Sequence, residues 1–238
     1  MKLSIVVPVF NEENTILTVL KRLLALKLPN VEKEIIVVDD GSIDRSLHKV
    51  KRFIARNPTI ILVAHERNHG KGKAVRSGIK EATGRYIIIQ DADLEYHPQF
   101  IPTLLEPVLK KKAKVVYGTR LTKAPNFKED QRTVRFFIHY LGNKGLSFIF
   151  SMLYRQWLTD IETCYKLFPR KIIREFTLDS RGFEFEAEIT AKLSKSNYKI
   201  QEVPIRTFPR GYEEGKKLNT ISDGFKTLWT ILRYRFKD

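Results

Sequence analysis

An acidic triplet, Asp91-Ala92-Asp93, contains the residue types that most directly suggest chemistry. It ends the apolar run Arg85–Gln90, so a buried strand would deliver two carboxylates, spaced i and i+2, to its carboxyl end. Hard divalent cations such as Mg²⁺ and Mn²⁺ prefer carboxylate oxygens and bridge the phosphates of nucleotides. With Glu95 as a third oxygen ligand, Asp91 and Asp93 predict a Mg²⁺ or Mn²⁺ site. The alternative is that the triplet only caps the helix beginning near Pro98.

A second acidic segment, EIIVVDDGSID, spans Glu34–Asp44 and follows the same plan. Its apolar run ends in Asp39-Asp40, where one acid could face a nucleobase or ribose, and Gly41 permits a tight turn. Ser42 and Asp44 are typical of helix caps. The glycine-rich segment 68–73 contains two lysines and could approach a diphosphate. It matches neither a Walker loop nor a dinucleotide fingerprint, and an ordinary loop before a helix explains it equally well.

The elements that must position these acids are predicted by short β-branched runs that alternate with amphipathic stretches. The predicted strands of the first half are Leu3–Val9, Glu34–Val38, Ile60–Val63, Arg85–Gln90 and Val115–Tyr117. The predicted helices between them are Glu12–Leu26, Asp44–Ala55, Gly72–Ala82 and Pro98–Lys110. Such alternation forms βαβ units, whose ligands bind at the carboxyl ends of the strands. We therefore expect a single α/β domain with a Rossmann-like, mostly parallel sheet flanked by helices.

The second half of the chain has a different character. A polar segment, Thr122–Gln131, predicts a mobile lid or acceptor loop, and Arg132–Trp157 mixes aromatic with basic residues. A helix is predicted at Gly182–Leu193 and a strand at Lys199–Pro204. The last predicted element, Asp223–Tyr234, is an amphipathic helix with an apolar face made of Phe225, Leu228, Trp229 and Leu232. We expect residues 1–120 to bind a nucleotide and residues 121–238 to face an acceptor.

Composition narrows the functional class without choosing one. The 238 residues are 42% hydrophobic, which supports a sizeable core, and the formal charge is +16. Such a charge suits nucleic acid, anionic lipid or phosphorylated substrates. Cys164 is the single cysteine, so no intrachain disulfide is expected and a reducing compartment such as the cytoplasm is favoured. The N-terminal apolar run reads as a strand, not as a signal peptide, and no run of about 18 apolar residues predicts a membrane span.

Five segments occur in an order that resembles a known family. They are Pro8–Glu13, Glu34–Asp44, the Asn68-x-Gly-x-Gly turn, the stretch ATGRYIIIQDADLEY and Tyr117–Arg120. Together they resemble the family-2 inverting glycosyltransferases with the A-type fold (GT-A). Within that family they are similar to the polyprenyl-phosphate hexosyltransferases, of which dolichyl-phosphate mannose synthase is one.

The resemblance implies donor roles for residues of the first half. The positions that would bind the nucleotide sugar are Pro8, Phe10, Glu12, Val38, Asp39, Asp91, Ala92 and Asp93. It also implies that Asp91 and Asp93 are catalytic and hold the metal, with Glu95 as a further ligand.

Acceptor roles fall mainly on the second half. The resemblance implies that Arg120 and Arg135 are catalytic residues that hold an acceptor phosphate, together with His139, Arg210 and Lys216. Two positions depart from the family pattern, since His139 stands where relatives have serine and a glycine replaces the serine before Lys216. Both departures concern the binding of the acceptor, for which Arg210 and Lys216 keep the positive charges.

The implied reaction transfers a hexose from a GDP-mannose or UDP-glucose type donor to a polyprenyl phosphate, dolichyl or undecaprenyl. A phosphomonoester has a second pKa of about 6 and is already an anionic nucleophile at neutral pH. Inversion in a single displacement therefore needs arginines and a metal but no carboxylate base. Aromatic and basic residues of the second half predict peripheral attachment to the inner, anionic face of a membrane, although a bundle core would give similar stripes.

Two other functions are compatible with parts of the sequence. A family-2 enzyme acting on a hydroxyl of a glycan would need a base, and Asp160 or Glu162 is the candidate. A basic, non-enzymatic nucleic-acid-binding protein is the remote alternative. It is disfavoured because acids at three successive strand ends would repel phosphates, and we expect no nucleic acid among the partners.

Overall fold

The computed structural model describes residues 1–121, 134–208 and 220–237, with side-chain surroundings for residues 1–121, 137–208 and 222–237. Seven strands are present in this part of the chain: β1 Lys2–Val9, β2 Glu32–Asp39, β3 Ile60–Ala64, β4 Tyr86–Ile89, β5 Val115–Thr119, β6 Lys166–Pro169 and β7 Ile200–Pro204. The helices are α1 Ile16–Ala25, α2 Ser46–Ile54, α3 Lys71–Glu81, α4 Ile101–Leu109, α5 Val134–Tyr154, α6 Arg170–Arg174, α7 Phe185–Lys195 and α8 Thr220–Phe236.

One seven-stranded sheet runs through the molecule in the order β3-β2-β1-β4-β6-β5-β7. Its pairs are parallel except those made by β6, which is antiparallel to both β4 and β5. Val9 pairs with Asp39, so β1 and β2 end side by side. Val6 pairs with Ile89, the last residue of β4. The register therefore brings the segments after β1, β2 and β4 to the same edge of the sheet.

The hydrophobic core is continuous across both halves of the sequence. Ile5 of β1, Phe168 of β6 and Ile231 of α8 are all fully buried members of one cluster. Helix α3 packs on β1 and β2 and touches α7, while α7 packs against α8. The predicted single α/β domain with a mostly parallel sheet is therefore confirmed. Its division at residue 120 into donor and acceptor halves stays a prediction.

Most predicted elements of the first half are present with shifted ends. Helix α1 begins at Ile16 and not at Glu12, because Asn11 takes a positive φ of 50° and starts a turn. The helix predicted at Pro98–Lys110 consists of a 3-10 turn, Pro98–Phe100, followed by α4. The predicted loop Thr122–Gln131 lies outside the described residues. Strand β6 was not predicted, since its four residues, KLFP, are too short for an alternating pattern.

Helix α5 buries several polar side chains and leaves many apolar ones exposed, although Phe150 is fully buried. Asn143, Ser147 and Ser151 of α5 are buried, whereas apolar side chains on its other face are exposed. The exposed apolar residues of α5 are Phe137, Ile138, Leu141, Phe148, Ile149 and Met152. A helix at a water-facing surface normally buries its apolar stripe. The bundle core, which is the alternative to a membrane face, therefore accounts for Phe150, which is fully buried in the main cluster, but not for Phe137 and Phe148.

Helix α8 completes the same surface. It buries Thr227, Thr230 and Ile231, while Phe225 and Trp229 are 69% and 67% exposed. Among the residues that the structure describes, no helix is both long and apolar enough to cross a membrane. Helices α5 and α8 pack against each other, and we call their exposed apolar residues the α5–α8 surface. The exposed Trp157, which follows α5, places its ring 6.2 Å from that of Phe148.

Candidate active site

A cleft of about 360 Å³ opens at the carboxyl ends of β1, β2 and β4. The cleft is lined by the segments that follow these three strands, and each of them contributes an acidic residue: Glu12 after β1, Asp40 after β2 and Asp91 after β4. Of the predicted site residues, those that line the cleft are Pro8, Phe10, Glu12, Asp91, Ala92, Asp93, Glu95, Arg120 and His139. The alternating strands and helices therefore assemble most of the predicted site from positions that lie far apart in the sequence.

The acidic triplet is presented by a turn that buried side chains hold in place. Gln90 is fully buried, and its Nε2 donates to the carbonyl oxygens of Asp91 and Tyr96, 2.9 Å from each. Its Oε1 accepts a hydrogen bond of 2.6 Å from the hydroxyl of Tyr165. The backbone N–H of Glu95 donates to Asp93 Oδ1 at 3.0 Å. These contacts fix the direction in which the carboxylates after β4 enter the cleft.

The donor set in this turn fits a hard divalent cation that also binds a diphosphate. Among the described residues, no three His, Cys, Asp or Glu side chains stand close enough to enclose a metal by themselves. Mg²⁺ is commonly held by one or two carboxylates while substrate phosphates and water complete its shell. Asp93 and Glu95 could supply such carboxylates, whereas Asp91 Oδ1 lies 2.8 Å from Lys71 Nζ. The three-carboxylate metal site stays a prediction.

Asp39 has one buried carboxylate oxygen without a hydrogen-bond partner among the described residues. Its other oxygen, Oδ2, accepts a 3.0 Å hydrogen bond from the backbone N–H of Ser42. A buried acceptor left in this state is costly unless a ligand donates to it, and a nucleobase N–H would suit. Val38 does not contribute a side chain to the cleft, because it is fully buried against helix α3 near Gly78.

Asp40 holds the glycine-rich loop against the sheet. Its carboxylate accepts hydrogen bonds from the backbone N–H groups of His69 and Gly70, and it lies 2.6 Å from His65 Nδ1. Gly41 has a φ of 69°, and a Cβ at this position would lie 2.3 Å from the carbonyl carbon of Arg67. Only glycine fits there. The adjacent acids Asp39 and Asp40 thus take different roles, one open towards a ligand and one structural.

Lys71, at the start of α3, is the basic residue of this loop that reaches the cleft. Its Nζ lies 2.8 Å from Asp91 Oδ1 and 3.2 Å from Glu186 Oε1. Burial opposes the charged form of Lys71, but attraction to the surrounding anionic groups, Asp91 foremost, outweighs burial and raises the pKa well above its ordinary value. Lys71 is therefore a cation in the cleft at neutral pH. Glu186 in turn lies 2.9 Å from the fully buried Lys166.

Arg120 lies in the cleft wall in a bidentate ion pair. Its Nε and Nη2 donate to the two oxygens of Asp160, each at 2.7 Å. Burial raises the pKa of Asp160, but the charge and hydrogen bonds of Arg120 outweigh burial and lower it. Asp160 is therefore held as a carboxylate that orients Arg120. A carboxylate committed to this pair is a poor general base, which weakens one of the two candidates for base catalysis.

The remaining predicted acceptor residues are only partly described. His139 of α5 lines the cleft, whereas the side chain of Arg135, in the first turn of that helix, lies outside the described residues. Arg210 and Lys216 also lie outside them. Glu162 lines the cleft, and burial raises the pKa of this carboxyl despite the charge of Arg120 and a hydrogen bond with Thr227.

Sequence reasoning did not place Glu186 in the site, and it considered the two lysines of segment 68–73 only as contacts for a diphosphate, without distinguishing Lys71 from Lys73. The signal for Lys71 is present, since a lysine between two glycines, Gly70 and Gly72, begins a helix after a strand. Glu186 carries a weaker signal, because GFEFEAEI reads as a helix start without showing which acid faces the cleft. Only the packing of α7 beside α3 brings the two side chains together.

Comparisons with known proteins agree with this architecture. The family model described as Glycosyl transferase family 2 matches residues 4–177. The chain is 32% identical, over 97% of its length and 91% of the relative's, to an uncharacterized protein of Methanocaldococcus jannaschii. It is 30% identical to the UDP-N-acetylglucosamine–dolichyl-phosphate N-acetylglucosaminyltransferase of Methanococcus voltae, covering 96% of this chain and 94% of the relative.

The fold is shared with a solved structure of low sequence identity. Glucosyl-3-phosphoglycerate synthase from Mycobacterium tuberculosis, in complex with Mn²⁺, UDP-glucose and phosphoglyceric acid, aligns with a TM-score of 0.72 at 20% identity. The alignment covers 100% of this chain and 80% of that one. The similarity confirms the predicted GT-A fold.

Proposed function

The chain belongs to glycosyl transferase family 2 and is a glycosyltransferase, and from this premise we propose that it transfers a hexose from a nucleoside-diphosphate sugar to a polyprenyl phosphate. The observation that carries the proposal is the position of α5. This helix contributes His139 to the cleft wall and, at neighbouring positions, exposes Phe137 and Leu141. A lipid phosphate could place its head group in the cleft and its chain along the α5–α8 surface.

Arg120 supplies the contact that an anionic acceptor needs. Asp160 occupies Nε and Nη2 of Arg120, and Nη1 has no hydrogen-bond partner among the described residues. The pair keeps the guanidinium charged and oriented while leaving donor capacity for a phosphate oxygen. Arg135, His139, Arg210 and Lys216 are proposed to complete the binding of this phosphate. A neutral hydroxyl acceptor would have much less use for such a cluster.

The chemistry follows from the charge of the acceptor. A phosphate oxygen attacks the anomeric carbon and forms the new C–O bond as the bond to the nucleoside diphosphate breaks, with inversion. The nucleophile is already an anion at neutral pH, so the protein has to hold it in line. A Mg²⁺ or Mn²⁺ ion bound near Asp93 and Glu95 would neutralise charge on the departing diphosphate. Asp39, Pro8, Phe10 and Glu12 are proposed to hold the base and ribose.

Membrane attachment is part of the same proposal. Exposed apolar residues of α5 and α8 are accompanied by exposed Arg233, Arg235 and Lys237 at the end of α8. Aromatic residues beside basic ones are typical of helices that lie in a membrane interface. Basic residues near an anionic leaflet each contribute about 1 kcal/mol of attraction. We propose peripheral binding to the cytoplasmic, anionic face of a membrane.

The donor is proposed to be a UDP- or GDP-linked hexose. The printed name of the Methanococcus voltae relative gives UDP-N-acetylglucosamine and dolichyl phosphate as its substrates. Nucleobases of both types present a ring N–H that could donate to the buried Asp39 Oδ1. The panel that tests the donor should therefore include UDP-N-acetylglucosamine, UDP-glucose and GDP-mannose.

The deciding experiment incubates purified protein with this panel, a short polyprenyl phosphate and Mg²⁺ or Mn²⁺. We expect a lipid-phospho-sugar from one donor, with inverted anomeric configuration, and its loss in the Asp93→Ala variant or with EDTA. A product of retained configuration would contradict the single displacement. Donor binding without any transfer to lipid phosphate would contradict the acceptor while leaving the family assignment intact.

A second candidate is transfer to a hydroxyl of a glycan, and Glu162 is the observation that favours it. Its pKa is raised in the cleft wall, as expected of a general base, whereas that of Asp160 is lowered. In this case Glu162→Gln would abolish transfer, and the rate would fall as pH drops through the raised pKa of Glu162. With a lipid phosphate acceptor, Glu162→Gln should retain most activity.

A further inference from the structure

Glu202 of strand β7 is a half-buried carboxylate that has no role in the site described so far. It accepts hydrogen bonds from two consecutive residues of the segment between α5 and β6. The backbone N–H of Thr159 lies 3.0 and 2.9 Å from its two oxygens. The N–H of Asp160 and the hydroxyl of Thr159 donate to Oε1 at 3.0 and 3.1 Å. One carboxylate therefore holds the backbone of both residues.

A network of hydroxyl groups extends from Glu202 to strand β5. Thr159 Oγ1 lies 2.6 Å from Thr119 Oγ1, and the N–H of Leu121 donates to Thr119 Oγ1 at 3.2 Å. An ionised carboxylate can only accept, so the Thr159 hydroxyl donates its single proton to Glu202 and accepts from Thr119. The charged form of Glu202 therefore sets the direction of each hydrogen bond in the network.

The surroundings of Glu202 distinguish a carboxylate from an amide. Burial raises the pKa of Glu202, whereas the hydrogen bonds from the N–H groups of Thr159 and Asp160 lower it. Both of its oxygens accept from the N–H of Thr159, which favours the charged form. A glutamine would turn its own N–H group towards that donor. It would therefore hold the two residues less firmly without changing the shape of the side chain.

Asp160, the second residue held by Glu202, is the partner of Arg120 in the cleft wall. Its Oδ2 accepts from the backbone N–H and from Nε of Arg120, at 3.1 and 2.7 Å, and its Oδ1 accepts from Nη2 at 2.7 Å. Asp160 is fully buried, whereas Arg120 lines the cleft with its guanidinium carbon 5.8 Å from the centre of the Tyr96 ring. A displacement of the Asp160 backbone would therefore turn the guanidinium group in the cleft.

Strand β7 gives Glu202 a fixed support. The strand pairs in parallel with β5, and beyond its end the N–H of Ile205 donates to the carbonyl oxygen of Thr119 at 3.0 Å. Further on, the N–H of Phe208 donates to the carbonyl oxygen of Glu95 at 2.9 Å. Groups carried by strands are held more precisely than groups carried by loops. The orientation of Arg120 thus depends on a strand of the sheet, reached through Asp160.

We propose that Glu202 is a positioning residue for the acceptor: it fixes the backbone of Thr159 and Asp160, so that Asp160 presents Arg120 to the acceptor phosphate. The inference rests on the proposed function for the identity of the acceptor. The hold on Arg120 itself does not depend on which acceptor is bound. Glu202 acts through two other residues and contacts no substrate.

The first measurement follows Arg120 directly by NMR and needs no substrate. In protein labelled with ¹⁵N-arginine, the Nε–H signal of Arg120 is assigned by its absence from the Arg120→Lys variant. This N–H donates to a buried carboxylate, so it should exchange slowly with water. We expect Glu202→Gln to speed the exchange about tenfold, the effect of one hydrogen bond to a charged group. Glu32→Gln, at the exposed start of β2, is the matched control and should leave the exchange unchanged.

The second measurement is a double-mutant cycle on transfer to a short polyprenyl phosphate. Glu202→Gln should lower kcat/KM for the lipid phosphate about tenfold and leave the KM of the nucleotide sugar unchanged. In the Arg120→Lys background the same substitution should lower kcat/KM by less than about twofold, because its effect passes through Arg120. A role in stability alone would not produce this dependence on Arg120.

An unchanged Arg120 signal, or an equal tenfold loss in both backgrounds, would overturn the proposal. If the melting temperature shows that Glu202→Gln does not fold, Thr159→Val decides, since it removes a hydroxyl of the network and keeps the side-chain shape. It should speed the exchange about threefold, and an unchanged signal would again overturn the proposal. Faster exchange without any transfer to lipid phosphate would contradict the proposed acceptor and leave the positioning role standing.

Discussion

Helices α1 and α5 differ in how much of their apolar surface the core covers. Helix α1, in the first half, buries Ile16, Val19, Leu20 and Leu23. Helix α5, in the second half, buries Phe150 together with the polar residues Asn143, Ser147 and Ser151, and exposes Phe148 and Met152 to 58% and 60%. Both helices are amphipathic, so the difference lies in what each apolar face contacts. The core covers the apolar face of α1. Much of the apolar face of α5 is exposed to water, which is unfavourable.

The same contrast holds for polar groups. In the first half, Asp40 and Asp44 are used to tie loops together through backbone N–H groups. In the second half, Asp160 forms an ion pair with Arg120, which lines the cleft together with His139 of α5. We propose that donor binding belongs to the sheet edge and that acceptor binding also uses the α5–α8 surface. The first three predictions below separate these two regions, and the fourth concerns stability alone.

The largest effect should come from the donor edge. Asp93→Ala removes a carboxylate that the proposed metal and diphosphate need, so kcat should fall about 10³-fold. Membrane-vesicle binding should be unchanged, because the α5–α8 surface is intact. The exposed residue Glu81 of α3 provides the control, and Glu81→Ala should leave kcat as in wild type. An active Asp93→Ala enzyme would show that this edge is not where the reaction is stabilised.

A variant of Arg120 tests whether this residue acts on the acceptor or on the donor. Arg120→Lys keeps a positive charge but loses the bidentate geometry with Asp160, and we expect kcat/KM for the lipid phosphate to fall about 10²-fold. The Kd of the nucleotide sugar, measured by calorimetry, should stay within error of wild type. Lysine is used because alanine would leave Asp160 buried without its partner, which typically costs about 3–5 kcal/mol of stability. Weakened donor binding instead would place Arg120 on the donor side.

The exposed aromatic residues of the α5–α8 surface allow a direct test of membrane binding. Replacing Trp229 with serine removes an apolar side chain worth about 1.5–3 kcal/mol on burial, so affinity for anionic phospholipid vesicles should fall at least about tenfold. The melting temperature should hold, because Trp229 is 67% exposed. Ile43, on the first half and 89% exposed, is the matched control, and Ile43→Ser should bind vesicles normally. Equal losses in both variants would contradict a membrane role confined to the α5–α8 surface.

The smallest expected effect concerns stability alone. Burial opposes the charge of Glu34, but hydrogen bonds from Ser4 and Thr83, and an ion pair with Lys2, lower its pKa from 4.5 to about 2. Because the folded-state pKa is depressed, this stabilisation is complete above about pH 4.5 and is lost as pH falls towards 2.

Glu34 lies at the start of β2, on the sheet edge opposite the cleft. Glu34→Gln should therefore lower the free energy of unfolding at pH 7 by on the order of 1–2 kcal/mol after solvent screening. Urea unfolding at pH 7 and pH 3 should give a smaller difference from wild type at pH 3, with kcat at pH 7 unchanged. A difference that grows on acidification would contradict the assigned sign.

Many residues at the sheet edge proposed to bind the donor could be predicted from the sequence, because the patterns that indicate them are local. Apolar runs that end in Asp39, Asp91 and Asp93 predict strands that deliver acids, and parallel pairing of such strands has few alternatives. The described cleft contains Pro8 and Phe10 as expected. Val38 shows where this reasoning ends. It was among the predicted donor-binding residues, but alternation along the strand turns its side chain towards the core.

The sequence by itself determined the α/β class, the family, the absence of an intrachain disulfide from its single cysteine, and the strand ends at which chemistry could occur. Tertiary structure decided which charged groups meet, because α3 and α7 are distant in sequence and only their packing sets Lys71 between Asp91 and Glu186. It also decided the orientation of α5. An amphipathic pattern fixes the width of an apolar face but not whether core or surroundings will cover it.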